Sequence, residues 1–138
     1  MSEPARFASV DGLLAHARDG LDRLSPEQAA AAVAAGARLV DIRPVAQREV
    51  DGEIPGSLIV ERNHLEWRLH PGSDTRVPAA QPGQHWIVVC AEGYTSSLAA
   101  AALVSLGVPA SDLAGGFLAW RAAGLATVPG PTPVEQYV

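Results

Sequence analysis

Along the chain, stretches with a helical repeat of apolar positions alternate with short, nearly continuous apolar runs. Residues 1–8 carry no period and are expected to be loose. From Ser9 to Asp19, Val10, Leu13, Leu14 and Ala17 share one helical side, and Gly20 closes the segment. Leu21-Asp22-Arg23-Leu24 alternates as a short strand does. Ser25-Pro26-Glu27-Gln28 is a helix start: serine at the N-cap, proline at the first helical position, glutamine three residues after the cap. The alanine-rich helix that follows ends at Gly36. Leu39-Val40-Asp41-Ile42 and Leu58-Ile59-Val60 read as buried strands, separated by a turn from Gly52 to Ser57. Asn63-His64-Leu65-Glu66 gives a second capping pattern for a short helix through Trp67 and Leu69. Pro71 to Gly83 is a polar loop rich in proline and glycine. His85 to Val89 is the strongest strand and ends at Cys90. Ser97 to Leu106 forms a helix of small residues closed by Gly107, Leu113 ends a last strand, and Phe117 to Ala123 forms a helix closed by Gly124. Trp67, Trp86 and Trp120 are expected in the core. The tail, 129–138, has three prolines and is expected to be extended.

Strands alternating with helices, without tight hairpin signals, predict an α/β fold with a mainly parallel sheet, in one domain over 9–128. With 138 residues the chain can build a core without a metal or disulfide staple. No run of residues is apolar and long enough to span a bilayer, and no secretory signal pattern is visible. A soluble, cytoplasmic protein is the expectation, with no sequence signature of oligomeric state.

Charge changes the picture. Ten basic against fifteen acidic residues leave a formal charge of −5, and all ten basic residues are arginine. Without a basic cluster the chain is a poor binder of nucleic acid or of anionic membranes. Without lysine it can form no Schiff base and has no P-loop lysine. Its four histidines show no ligand spacing, so neither a metal nor a cofactor is expected.

The single cysteine excludes an intramolecular disulfide and a cysteine-based zinc cluster. Cys90 stands where a buried strand gives way to a helix, the end of an open α/β sheet where ligands bind. The segment Ala91-Glu92-Gly93-Tyr94-Thr95-Ser96 is small and polar. Wrapped around a sulfur atom, it would turn backbone N–H groups inward, and the helix N-terminus adds its partial positive charge. Both favour negative charge on the sulfur. A packed cysteine needs none of this, so a functional thiolate is the stronger reading.

Four segments in order make the chain resemble a single rhodanese domain, the sulfurtransferase module. They are Leu39-Val40-Asp41-Ile42-Arg43 with Glu49, Gly52-Glu53-Ile54-Pro55-Gly56-Ser57, Val88 through Ser96, and Leu113-Ala114-Gly115-Gly116-Phe117-Leu118-Ala119-Trp120. The similarity covers Leu21 to Val128. It implies a five-stranded, mainly parallel sheet with helices on both faces. It also implies sulfur transfer through a Cys90 persulfide, from a small-molecule donor to a thiol or other nucleophilic acceptor supplied from outside. Gly93 and Thr95 match the family loop. Ala91 and Glu92 do not match thiosulfate-using members, whose loops are basic there, so weak thiosulfate activity or another donor is expected.

In the family, the residue matching Arg43 pairs with the acid matching Glu49 and braces the structure. Arg62, just past a strand's carboxyl end, is placed either to reach the pocket or to sit on the surface. Asp41 either orients the loop or is buried at a strand end, and Tyr94 either forms the pocket mouth or is simply exposed. Two other classes compete. A phosphatase of related fold carries an arginine six residues after its cysteine, where this chain has Ser96. A binding or regulatory module without turnover would not need the cysteine.

Overall fold

The computed structural model describes residues 3–137. In chain order the elements are α1 (Val10–Arg18), β1 (Arg23–Leu24), α2 (Pro26–Ala34), β2 (Arg38–Asp41), α3 (Val45–Asp51) and β3 (Leu58–Ile59). A 3-10 turn (Arg62–His64) runs into α4 (Leu65–Leu69), followed by β4 (Trp86–Val89), α5 (Thr95–Ser105), β5 (Ala110–Leu113) and α6 (Gly116–Ala122). The five strands lie in the order β1-β5-β4-β2-β3, and every neighbouring pair is parallel. The sheet is the expected one, with helices on both faces.

β4 is central, and all four of its residues are buried, as a strand covered on both faces requires. The two-residue period of the strand divides the core. Val88 and Cys90 join Val40, Leu65, Leu69, Ala99 and Leu103 on one face. Ile87 and Val89 join Leu39, Ala29, Phe117 and Trp120 on the other. The capping box of α2 forms as its sequence demands: Gln28 N donates to Ser25 Oγ at 3.2 Å, and Ser25 N donates to Gln28 Oε1 at 2.9 Å.

Two local expectations fail, the cap at Asn63 and the core place of Trp67, and two helices, α1 and α3, depart from the amphipathic pattern. α3 shows no apolar stripe, because Val45 and Val50 face solvent and the residue it buries is Arg48. Asn63 lies inside the 3-10 turn and caps nothing; Glu66 instead accepts from Arg62 Nη1 at 2.8 Å. Trp67 is 59% exposed, whereas Trp86 and Trp120 are core. α1 buries no residue, and Val10 is 74% exposed.

Residues 3–8 form no regular element, and Met1 and Ser2 of the segment read as loose lie outside the described residues. The tail has no regular element either, and its last residue, Val138, also lies outside them. The tail is tied down along the β3 edge. Glu135 N donates to Ile59 O at 2.7 Å, which occupies an edge-strand carbonyl. The Arg68 guanidinium lies 3.9 Å over the Tyr137 ring.

The tail's firmest anchor is a buried ion pair. Arg48 Nη1 donates to Glu53 Oε2 at 2.8 Å and to Thr132 O at 2.8 Å. Thr132 donates from its N to Glu53 Oε2 at 3.0 Å and from its Oγ1 to Oε1 at 2.6 Å. Burial alone would push the Glu53 carboxyl up; the Thr132 and Arg48 hydrogen bonds and the Arg48 charge outweigh it and hold the carboxyl below its ordinary value. A depressed carboxyl contributes stability that is fully present above its unfolded-state value and is lost as pH falls through the folded one.

Glu53→Gln should therefore destabilise the protein by about 3–5 kcal/mol at neutral pH, the usual result of stranding one partner of a buried pair. Denaturant unfolding across pH checks this. The parent should lose stability on acidification below the ordinary carboxylate range, and the variant should show a shallower loss there.

Candidate active site

β4 delivers Cys90 to the carboxyl end of the sheet, and α5 begins five residues later at Thr95. The thiol is buried, 4% exposed, and free. Two backbone N–H groups point at its sulfur: Gly93 N at 3.1 Å and Ser96 N at 3.4 Å. The loop 90–96 thus curls around Sγ as its small, polar sequence predicts.

An inward-facing set of N–H groups turns carbonyls outward, and each of these needs a donor. Phe117 N donates to Cys90 O at 2.8 Å, and Leu118 N donates to Ala91 O at 3.1 Å, both from the first turn of α6. The carbonyl of Gly93 accepts from Arg18 Nη2 at 2.8 Å and from Arg23 Nη2 at 2.9 Å. Gly116 permits the α6 contact. Its φ is +67°, and a Cβ there would stand 2.5 Å from Ala91 O and 2.6 Å from Cys90 O.

Beneath the loop, Asp112 on β5 is fully buried. It accepts from Ser96 Oγ at 2.8 Å, from Ser97 Oγ at 2.9 Å, and from Arg23 Nε at 3.0 Å and Nη2 at 3.2 Å. Ser97 Oγ also accepts from Arg18 Nε at 3.0 Å. Arg18, Arg23 and Asp112 were not among the residues singled out in the sequence. Arg23 and Asp112 face each other in the parallel β1–β5 register, a long-range pairing no local pattern reveals.

The remaining residues divide. Ala91 through Ser96 form the loop as expected, with Glu92, Tyr94 and Thr95 exposed at its outer side and Ser96 buried. Tyr94, Thr95 and Leu98 border a shallow apolar cleft of about 400 Å³ with Val10, Asp11 and Leu14 of α1. Asp41 does not bond to the loop. It points to the face opposite Cys90 and binds Arg43, with Arg43 Nη2 donating to Asp41 Oδ2 at 2.7 Å. Glu49 is exposed on α3 and is not the partner of Arg43, since the buried positions beside that guanidinium belong to Asp41 and to Gly52 O, at 2.8 Å. Arg43 still braces the loop at one remove. Its guanidinium lies 4.2 Å over the ring of Phe117, whose N–H holds Cys90 O. Arg62 is held by Glu66 in an i,i+4 pair at the surface of the turn. Among the described residues no cluster of histidine, cysteine, aspartate and glutamate could hold a metal ion, and no helix is long and apolar enough to cross a membrane.

A parallel α/β sheet presenting one cysteine, wrapped in its own backbone, at the carboxyl end of its central strand defines a cysteine-loop domain. The chain belongs to the rhodanese-like domain family, whose model matches residues 25–123. It is 38% identical over 111 residues to the thiosulfate sulfurtransferase GlpE of Pseudomonas entomophila, covering 80% of this chain and 90% of the relative. Among solved structures it resembles a Rhodopseudomonas palustris protein of unknown function described as a possible tyrosine phosphatase. That match has a TM-score of 0.81 and 32% identity, over 93% of this chain and 99% of that one. It also resembles a thiosulfate sulfurtransferase from Pseudomonas aeruginosa, with a TM-score of 0.65 and 28% identity, over 83% of this chain and 20% of that one.

The docking of the loop on α6 is open to a direct check. Gly116→Ala adds a methyl group against two carbonyl oxygens at a left-handed backbone position, and should destabilise by at least about 2 kcal/mol. Gly107→Ala, at a similar φ of +78° with nothing within 4 Å, should lose only about 1 kcal/mol. Chemical denaturation of both variants measures the difference.

Proposed function

We propose that the protein is a sulfurtransferase that carries a sulfane sulfur on Cys90. The observation that carries this reading is the pair of N–H groups from Gly93 and Ser96 on the Cys90 sulfur, in a chain of the rhodanese-like family. N–H groups fixed in place before the reaction favour negative charge on sulfur, in the thiolate and again in the persulfide, as an oxyanion hole does for oxygen.

The proposed reaction has two displacements. The Cys90 thiolate attacks the outer sulfur of a donor such as thiosulfate; the donor's S–S bond breaks, and sulfite leaves with the electron pair. Cys90 then carries a persulfide anion. An acceptor thiolate attacks its outer sulfur, the new S–S bond breaks, and the Cys90 thiolate is restored. The single cysteine suits this scheme, because the acceptor comes from outside. The sequence relative named for thiosulfate transfer supports thiosulfate as a donor. Exposed Glu92, at the outer side of the loop, opposes a dianion and favours weak use of it, or preference for an uncharged persulfide donor.

The loop geometry does not support a phosphatase. The position six residues after Cys90 holds Ser96, whose hydroxyl is donated to buried Asp112, and the loop itself has no arginine. Arg18 and Arg23 are tied to the Gly93 carbonyl.

Incubation with thiosulfate or a low-molecular-weight persulfide, followed by intact mass measurement, should show one added sulfur on the parent. Cys90→Ser should fold and show none. No sulfur on the parent with any donor would leave a binding module, and turnover of a phosphate monoester would bring back the phosphatase. A second expectation concerns charge at the mouth. Glu92→Lys should raise kcat/KM for thiosulfate by at least about tenfold at low salt and by less at high salt, with little change for an uncharged persulfide. Steady-state kinetics with both donors at two ionic strengths decides it. Equal change with both would mean Glu92 acts through loop shape.

A further inference from the structure

Helix α1 lies before residue 25, where the match to the family model begins. It buries no residue of its own, and its outer apolar side chains are exposed. Its contribution to the fold is therefore not core volume. What it does supply is Arg18 in its last turn, whose Nη2 donates to Gly93 O at 2.8 Å and whose Nε donates to Ser97 Oγ at 3.0 Å. Arg23, from β1 and also upstream of residue 25, donates to the same carbonyl at 2.9 Å. A backbone carbonyl has two lone pairs, and both are filled here by guanidinium N–H groups. Hydrogen bonds from an ionised donor are shorter and stronger than neutral ones.

The consequence follows from the peptide unit. The bond between Gly93 and Tyr94 is trans, since the sole cis bond among the described residues is Gly130-Pro131. In a trans peptide the C=O and N–H point in opposite directions. With the Gly93 oxygen drawn out to the two arginines, the Tyr94 N–H faces the other way. It meets no protein acceptor among the described residues. On either side of it, the N–H groups of Gly93 and Ser96 already point at the sulfur. Gly93 has a φ of +88°, and a Cβ there would stand 2.7 Å from Gly115 N and 3.2 Å from Arg23 Nη2. The loop is thus pressed between α6 and the arginines. Charge adds to geometry: two guanidinium groups against one Asp112 carboxylate leave a net positive charge behind the loop.

We infer that Arg18 and Arg23 form a clamp, contributed from outside the segment matched by the family model, that turns the Gly93–Tyr94 peptide. The clamp presents the Tyr94 N–H as a further donor to negative charge at the mouth of the sulfur cradle. Arg18 is a positioning residue: it acts through the peptide and does not touch the donor. The inference rests on the sulfur-transfer reading for its chemistry but not for its geometry.

Arg18 gives the cleaner test, because Arg23 also holds Asp112. Two reagents are needed: thiosulfate for sulfur loading, and iodoacetamide, which is uncharged and needs no sulfur transfer. Arg18→Met should slow Cys90 alkylation and saturating sulfur loading by about tenfold, the loss expected of a charge-assisted hydrogen bond, with the KM for thiosulfate little changed. Arg18→Lys, which keeps the charge but reaches only one of the two acceptors, should fall between parent and Arg18→Met. Thermal melting midpoints should stay close to that of the parent in both variants. The clamp is overturned if Arg18→Met reacts at the parental rate with both reagents. It is equally overturned if only the thiosulfate KM rises, which would make Arg18 a charge attractor, or if slowing occurs only alongside a collapse of the melting midpoint. A parent that takes up no sulfur from any donor, while iodoacetamide still separates Arg18→Met from it, would uphold the clamp and remove the transferase reading.

Discussion

The structure turns on a constraint of the backbone. A loop can aim N–H groups at a sulfur atom only by aiming carbonyls away from it, and those carbonyls are too close to the core to be left to water. Cys90 O, Ala91 O, Gly93 O and Tyr94 O each have a donor: Phe117 N, Leu118 N, the two arginines, and Ser97 N. The elements around the site are arranged to supply them. α6 starts on Gly116 so that its first turn can approach Cys90 and Ala91. α5 starts at Thr95, and its free first-turn N–H groups include the one that reaches the sulfur from Ser96. Helix starts that are unpaired by their own geometry complete a loop that could not satisfy itself.

The same demand explains the basic composition. Six of the ten arginines donate to backbone carbonyls: Arg18, Arg23, Arg43, Arg48, Arg68 and Arg76. A guanidinium presents several N–H groups in a fixed plane, so it can bind a carboxylate and a carbonyl at once. Arg23 does so with Asp112 and Gly93, Arg43 with Asp41 and Gly52, and Arg48 with Glu53 and Thr132. Lysine, a point charge on a flexible stem, would not hold these crossings with the same geometry. The acid partners are buried, so the net charge of the chain hides an internal lattice of paired charge.

The sheet and its order of elements were legible because their signals are local. A strand of Trp-Ile-Val-Val, a Ser-Pro-Glu-Gln helix start, and a small-residue segment after Cys90 each declare themselves within a few residues. The loop's curl was legible for the same reason. The braces were not. Arg23 meets Asp112 across the sheet register, and Arg48 meets Thr132 across most of the chain. α3 carries no such signal because its buried residue, Arg48, is charged, which inverts the pattern that marks a helix. Of the two places the sequence leaves for Asp41, the structure selects burial at the strand end, where the strand's two-residue period sends it to the opposite face from Cys90. Arg43 and Glu49 were joined by family resemblance; in this chain α3 carries Glu49 out to solvent and leaves Asp41 to neutralise Arg43.

Charge around Cys90 is layered by depth. Arg18 and Arg23 lie behind the loop, within hydrogen-bonding distance of its backbone, and Glu92 is exposed on its outer side. Interactions inside a protein are screened far less than those across solvent. The half-buried positive charge therefore acts mainly on whatever is already seated at the sulfur, whereas the exposed carboxylate acts on what approaches. On the sulfur-transfer reading proposed above, a chain arranged this way would stabilise a persulfide anion without drawing in every dianion from solution. On that reading, stabilising an intermediate and choosing a donor would be separate tasks, placed on opposite sides of one seven-residue loop, and a change on the outer side would alter donor choice while the cradle stays as it is.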